Sequence, residues 1–393
     1  MKKRFITTAA AAALVLTGAV AQVTVKTEAG DVSVRFVGRT NLEFGTYIGQ
    51  DTQNEHYITK YDANGDEYTD TTYTKYNTNG LIFNDTRFGF QVSFAEKWAA
   101  KCELQFAKTA VKFRDLWVSY KLSDNATVKV GNYFQPFGAK VLGSLNYKFI
   151  ENARADNAIT PDRKIGITYS YISDLLHLTG GLASNGDVDS PGTNKGTIVA
   201  AKAIVRPILD DHTVLHIGAA ALFTNQHGAT VSYSAAMPET FSSSAHTLIS
   251  EKADAANAWR YEAEAIFITG PFYIEGHYLG SLANVRNTSN NFNATGLYGQ
   301  VGFLVIGDQQ KYNKKTGLAA MASPGDLEVL ARVNYLKLEY PDIDNTEKSE
   351  TDITIGLNYI INKNLNIRGN YIYAKVKDGD DFNCVQARLQ FSF

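Results

Sequence analysis

The closing stretch, residues 382–393, limits the fold more than any other part of the chain: its polarity alternates strictly, and it stops on an aromatic. Val385, Ala387, Leu389, Phe391 and Phe393 fall on one face of an extended strand, while Cys384, Gln386, Arg388, Gln390 and Ser392 fall on the other. A soluble sheet with one wet face writes the same alternation. Repetition separates the two cases. Segments of about ten residues with this pattern, broken by turn residues, recur along the whole chain, which is how a transmembrane β-barrel is written.

The other end of the chain agrees. Lys2, Lys3 and Arg4 precede an apolar run from Phe5 to Leu16, and Ala19, Val20 and Ala21 supply a small-residue cleavage site before Gln22. That is the form of a secretory signal peptide over 1–21, and the run is too short for a membrane helix, which needs about 20 apolar residues. The mature domain is then 22–393, or 393 − 21 = 372 residues. With 22 Tyr and 21 Phe but only 8 Pro, and a mean hydropathy of -0.21, the full chain suits a barrel in which alternate residues meet lipid and the rest meet water. The net charge of -2 excludes a strongly basic nucleic-acid binder. Cys102 sits on an apolar face and Cys384 on a polar one, so a disulfide between them is not expected.

Period-two alternation marks strands at 34–48, 81–95, 98–107, 112–122, 126–135, 163–172, 175–184, 196–206, 212–224, 257–269, 271–283, 294–306, 326–340, 351–361, 364–377 and 382–393, about sixteen in all. Connectors at 96–97, 123–125, 173–174, 207–211, 270 and 362–363 are short, while 49–80, 136–162, 185–195, 225–256 and 284–293 are long. Short turns on one side and long loops on the other predict periplasmic turns and extracellular loops. Segment 307–325 breaks the rule, being long where a short turn is due. Tyr47, Phe134, Trp259, Phe272 and Tyr359 lie near strand ends, as interfacial aromatic girdles require. Within 49–80 an echoed motif ends twice in Asn-Gly, at 64–65 and 79–80, and predicts two tight turns. Asp62, Asn64 and Asp66 begin a calcium-loop spacing that Glu67 interrupts, so no metal site is expected.

No catalytic constellation is present: the 7 His are scattered, and nucleophile-elbow, zincin and phosphate-loop motifs are missing. The chain is therefore read as a non-enzyme without cofactors. On the inward rows, Arg35, Arg39, Arg87, Lys101, Lys121 and Lys129 join Lys164, Lys202, Arg260, Arg332, Arg368 and Arg388. Against them stand Glu43, Glu103, Asp115, Glu262, Glu264, Glu275 and Glu328, so the interior should mildly favour anions.

The order of several short motifs resembles the phosphate-selective porin O and P family. The run Arg87-Phe88-Gly89-Phe90 is followed by Trp98, Glu103 to Phe106, Asp115 to Tyr120, Val130-Gly131, Pro136-Phe137-Gly138 and Arg163 ahead of Gly166. Glu262, Thr269 to Phe272, Gly325 to Glu328, Arg332, Gly356 to Tyr359, Asn362, Asn370-Tyr371 and Arg388 to Phe391 complete it. The closing Phe393 also resembles the assembly signal of Gram-negative outer-membrane barrels. The resemblance implies a sixteen-stranded trimeric porin among outer-membrane lipid and lipopolysaccharide, with a third external loop folded into the lumen.

Loop 136–162 is long enough for that constriction. It carries Lys140, Lys148 and Arg154, with Lys112 and Arg114 at the adjoining strand end. The expectation is passive diffusion of small solutes with anion preference, phosphate being what the family name suggests. Two alternatives stay open: a porin passing sugars or other nutrients without charge preference, and a barrel whose loops bind a partner.

Overall fold

The computed structural model describes residues 22–27, 30–48, 53–61, 66–75, 79–106, 110–143, 146–190, 196–227, 230–238, 247–340 and 346–393. The expected signal segment 1–21 and the first Asn-Gly pair lie outside these residues. Among them, sixteen antiparallel strands close into a barrel. The first half comprises β1 (Gly30–Tyr47), β2 (Asn79–Phe83 and Arg87–Phe94), β3 (Trp98–Gln105), β4 (Lys112–Lys121), β5 (Ala126–Tyr133), β6 (Lys164–Ile172), β7 (Leu176–Ser184) and β8 (Thr197–Leu209). The second comprises β9 (Thr213–Asn225), β10 (Thr247–Thr269), β11 (Phe272–Val285), β12 (Asn291–Ile306), β13 (Leu327–Tyr340), β14 (Thr346–Ile360), β15 (Leu365–Val376) and β16 (Asp381–Ser392). Each pairs with its successor, and β16 pairs with β1 from Tyr47↔Cys384 to Arg39↔Ser392. Among the described residues closure pairs every barrel strand on both sides, as lipid requires, since an unsatisfied peptide group there costs several kcal/mol.

At the seam β1 runs past the end of β16. Phe393 exchanges both backbone hydrogen bonds with Gly38 (3.0 and 3.1 Å), and a further strand, Gln22–Thr27, pairs with Gly30–Arg35 to cover the remaining edge. Outward positions carry the apolar row, with Phe88, Ile167, Val333 and Leu357 all exposed, while Arg87, Thr168, Asn334 and Asn358 on the same strands are buried inside. Cys102 and Cys384 stand on opposite faces of the wall.

Trp259, Phe272 and Tyr359 face outward. Tyr47 does not: it is buried inside the barrel against Phe382, Met237 and Ile372. Phe134 likewise faces the interior, under the Arg163 guanidinium at 4.0 Å. These two leave the predicted girdle. The second Asn-Gly pair, Asn79-Gly80, is no turn but pairs as strand with Thr46 and Gly45. Loop 49–80 is instead built on a hairpin, Gln53–Tyr61 with Glu67–Lys75.

Three pieces occupy the interior. Residues 136–162 turn in from the long-loop end; Phe137, Phe149, Ile150, Ala153 and Ile159 are buried, and α1 (Arg154–Ile159) forms there. Thr230–Ala236 pairs with the overhanging start of β10 and covers α1, burying Val231, Tyr233 and Ala235. From the short-turn end, the unexpectedly long segment 307–326 folds a small hairpin, Lys311–Asn313 with Leu318–Ala320, up into the barrel. Its Leu318 and Ala319 pack on Ala139 and Phe149 of the inner loop, so inserts from both ends meet inside.

Candidate permeation pathway

The inserts crowd one side of the barrel and leave a cavity of about 700 Å³ against β1–β7. A transverse row of paired inward positions crosses its wall: Arg35↔Gln91, Gln91↔Lys101, Lys101↔Trp117 and Trp117↔Gly131. Two inward positions up, Arg39 pairs with Arg87. Two guanidiniums side by side repel. The break in β2 at 84–86 resolves this by aiming Asp85 between them, 2.6 Å from Arg39 Nη2 and 2.6 Å from Arg87 Nε. Arg87 also reaches Glu103 (3.0 Å), and Lys101 lies between Glu103 (3.3 Å) and Asp115 (2.8 Å). Arg163 takes the other Asp115 oxygen at 2.8 Å. Cations and carboxylates thus alternate up the wall.

Two cations of this wall depart from the pattern. Arg35 donates to the neutral Gln91 Oε1 (2.9 Å), and the Lys129 ammonium stands 5.0 Å from the ring centres of both Trp117 and Tyr133. Around the cavity, seven basic side chains (Arg35, Arg39, Lys101, Lys129, Lys202, Lys315, Lys363) stand with two acidic ones, Glu103 and Asp115.

The opposite wall holds the inserts. Gly138 N–H donates to Glu262 Oε2 (2.8 Å), fixing the start of the inner loop. Glu264 Oε1 meets His216 Nε2 (3.1 Å), whose Nδ1 meets the Tyr312 hydroxyl (2.9 Å) of the short-turn hairpin. Glu262, Glu264 and His277 bring ligand atoms within 4.8 Å of one another, but the Lys202 ammonium already sits among them, 2.8 Å from Glu264.

The expected loop cations occupy a different setting from the one foreseen. Lys148 is buried and paired with Glu328 (2.7 Å) of β13, and Arg154 is buried and paired with Asp352 (2.9 Å) of β14. Burial opposes the Arg154 charge, yet Asp352, Glu350 and Glu151 hold its pKa above the ordinary value. Both side chains grip the wall and turn away from the passage. Lys140 donates to the carbonyls of Asn157 (3.0 Å) and Thr160 (2.6 Å), closing the loop on itself. Arg114 reaches Gln105, and Lys112 is exposed at the long-loop end of β4.

Among the wall residues, Arg332 and Arg368 also serve the loop, donating to the carbonyls of Glu151 (3.0 Å) and Tyr147 (2.7 Å). Arg388 pairs with Glu43, and Lys164 donates to Asn185 O (2.7 Å). Arg35, Arg39, Lys101, Lys129 and Lys202 are therefore the expected wall cations that border the cavity; Arg87 stands just behind. Asp85 and Arg163 fell inside the expected strands 81–95 and 163–172, but Asp85 lies in a break at 84–86 and Arg163 just before β6, so strand parity could not assign their partners.

The sequence matches the family described as Phosphate-selective porin O and P over residues 59–393. No curated protein matches the chain in sequence. Among solved structures, in-vitro folded OmpT, an outer membrane protein of Vibrio cholerae, superposes with TM-score 0.59 at 13% identity, covering 94% of this chain and 99% of that one. OmpT is also described in a trimer form. The outer membrane channel DcaP of Acinetobacter baumannii gives 0.54 at 14% identity, covering 94% and 99%. An anion-selective porin from Comamonas acidovorans gives 0.54 at 14% identity, covering 92% and 100%. At such identities the likeness is one of fold.

Proposed function

The chain belongs to the phosphate-selective porin O and P family and is an outer-membrane porin of a Gram-negative envelope, and from that premise we propose that it passes small hydrophilic solutes by diffusion with a preference for anions. The observation that carries the preference is the excess of basic over acidic groups around the open cavity. In a narrow, poorly screened passage such an excess raises the local concentration of anions and lowers that of cations. The anion-selective Comamonas porin, with the same fold, is consistent with this reading. The selective cations are Arg35 and Lys129 of the β1–β7 wall, which pair with no carboxylate among the described residues, whereas Lys148 and Arg154 are neutralised by Glu328 and Asp352. We also infer a trimer, in line with the trimer form of OmpT.

The test is a reversal potential in planar bilayers across a potassium chloride gradient. It should carry the sign of chloride. Arg35→Gln with Lys129→Gln should bring it toward zero, whereas Lys112→Gln should leave it close to the wild-type value. A potential of the potassium sign in the wild type rules the proposal out.

A further inference from the structure

The wall charges differ in how they are satisfied. Arg39 and Arg87 share Asp85, Lys101 lies between two carboxylates, and Lys202 is held by Glu264. Among the described residues no oxygen lies within hydrogen-bonding reach of the Lys129 ammonium. Its close neighbours are the ring faces of Trp117 and Tyr133, which attract a cation without cancelling its charge. The Tyr133 hydroxyl is committed elsewhere, to Lys129 O (3.0 Å) and Thr168 Oγ1 (3.1 Å). The cavity at this point is also partly apolar. Val37, Trp117, Phe134, Pro136 and Val141 line it, supplied jointly by the wall and the inner loop.

A small inorganic oxyanion gains little from such a lining. Its oxygens need several donors at once to replace water, and the surroundings of Lys129 offer one ammonium and ring faces. An organic anion gains from both parts, since its charged end meets Lys129 while its body leaves water against the apolar residues. We propose that the cavity is a binding station for carboxylates joined to a flat apolar body, the carboxylate meeting Lys129 and the body lying on Trp117, Phe134 and Val141. This deepens the anion-preferring reading and rests on it.

The experiment uses the full barrel in planar bilayers and reads block of the chloride current by benzoate, acetate and inorganic phosphate at equal ionic strength. Benzoate should reach half-block at a concentration about tenfold below acetate or phosphate, the factor expected when a modest apolar area leaves water. Lys129→Gln should raise the benzoate value toward that of acetate. Val141→Ser, on the inner loop and outside the wall ladder, should weaken benzoate severalfold and leave acetate unchanged, so the inference stays testable should the Lys129 variant fail to assemble. Equal block by benzoate and acetate, or stronger block by phosphate, overturns it. The reversal potential in the same membranes separates the failures. A chloride-signed potential with no benzoate advantage removes only the station, while a potassium-signed one removes the anion preference as well.

Discussion

At Gly138 the chain turns into the barrel with φ of +67°, and an added Cβ would collide with Thr160 and Asp156 while its N–H must still reach Glu262. Only glycine adopts that conformation without strain, which costs about 1–3 kcal/mol for other residues, before the clash is counted. Gly138→Ala is therefore expected to release the start of the inner loop and leave the barrel closed. The check is larger, noisier single-channel conductance from protein that still shows heat-modifiable migration; unchanged conductance would show that the loop tolerates a side chain there. At this scale the sequence was only partly readable. Parity along β1 already put Tyr47 on the inner face, with Asn41 and Glu43, and proximity to a strand end misassigned it. The break that aims Asp85 at two arginines was hidden inside the expected strand 81–95.

The inner loop is held as an element by two buried pairs reaching separate strands, Lys148–Glu328 and Arg154–Asp352. Removing one partner of such a pair costs about 3–5 kcal/mol, because the other charge stays buried and alone. Glu328→Gln with Asp352→Asn should loosen residues 146–159 against the wall. Raised proteolytic nicking in that stretch, with the anion preference kept, is the expected result. A lost preference instead would return the selective role to Lys148 and Arg154. Loop 136–162 announced itself by length and its Pro-Phe-Gly start, but its partners could not be read. They lie on strands far along the chain, and any inward carboxylate would have served equally. The hairpin at 311–320 escaped for another reason, since strands of three residues are too short to show alternation.

For the whole molecule, all sixteen staves were legible because lipid enforces the pattern: a charge at mid-bilayer on the outer face costs about 2–4 kcal/mol. Water inside enforces nothing comparable, so the interior's pairings stayed hidden. Closed cyclic symmetry is the usual outcome for identical chains, and the outward apolar wall can supply a self-contact. Crosslinking of the extracted porin in mild detergent is expected to end at a trimer, whereas a mass confined to the monomer would exclude it. One further consequence follows from the meeting of the inserts. Lys148 is joined to Gln310 and Glu328, 162 and 180 residues later, so the middle of the early loop has no seat until the late strands exist. Contacts so distant in sequence are slow to form. The bore of this channel is thus set last, when the barrel is nearly complete, and a chain stalled before β13 would hold its first strands around a passage of undefined width.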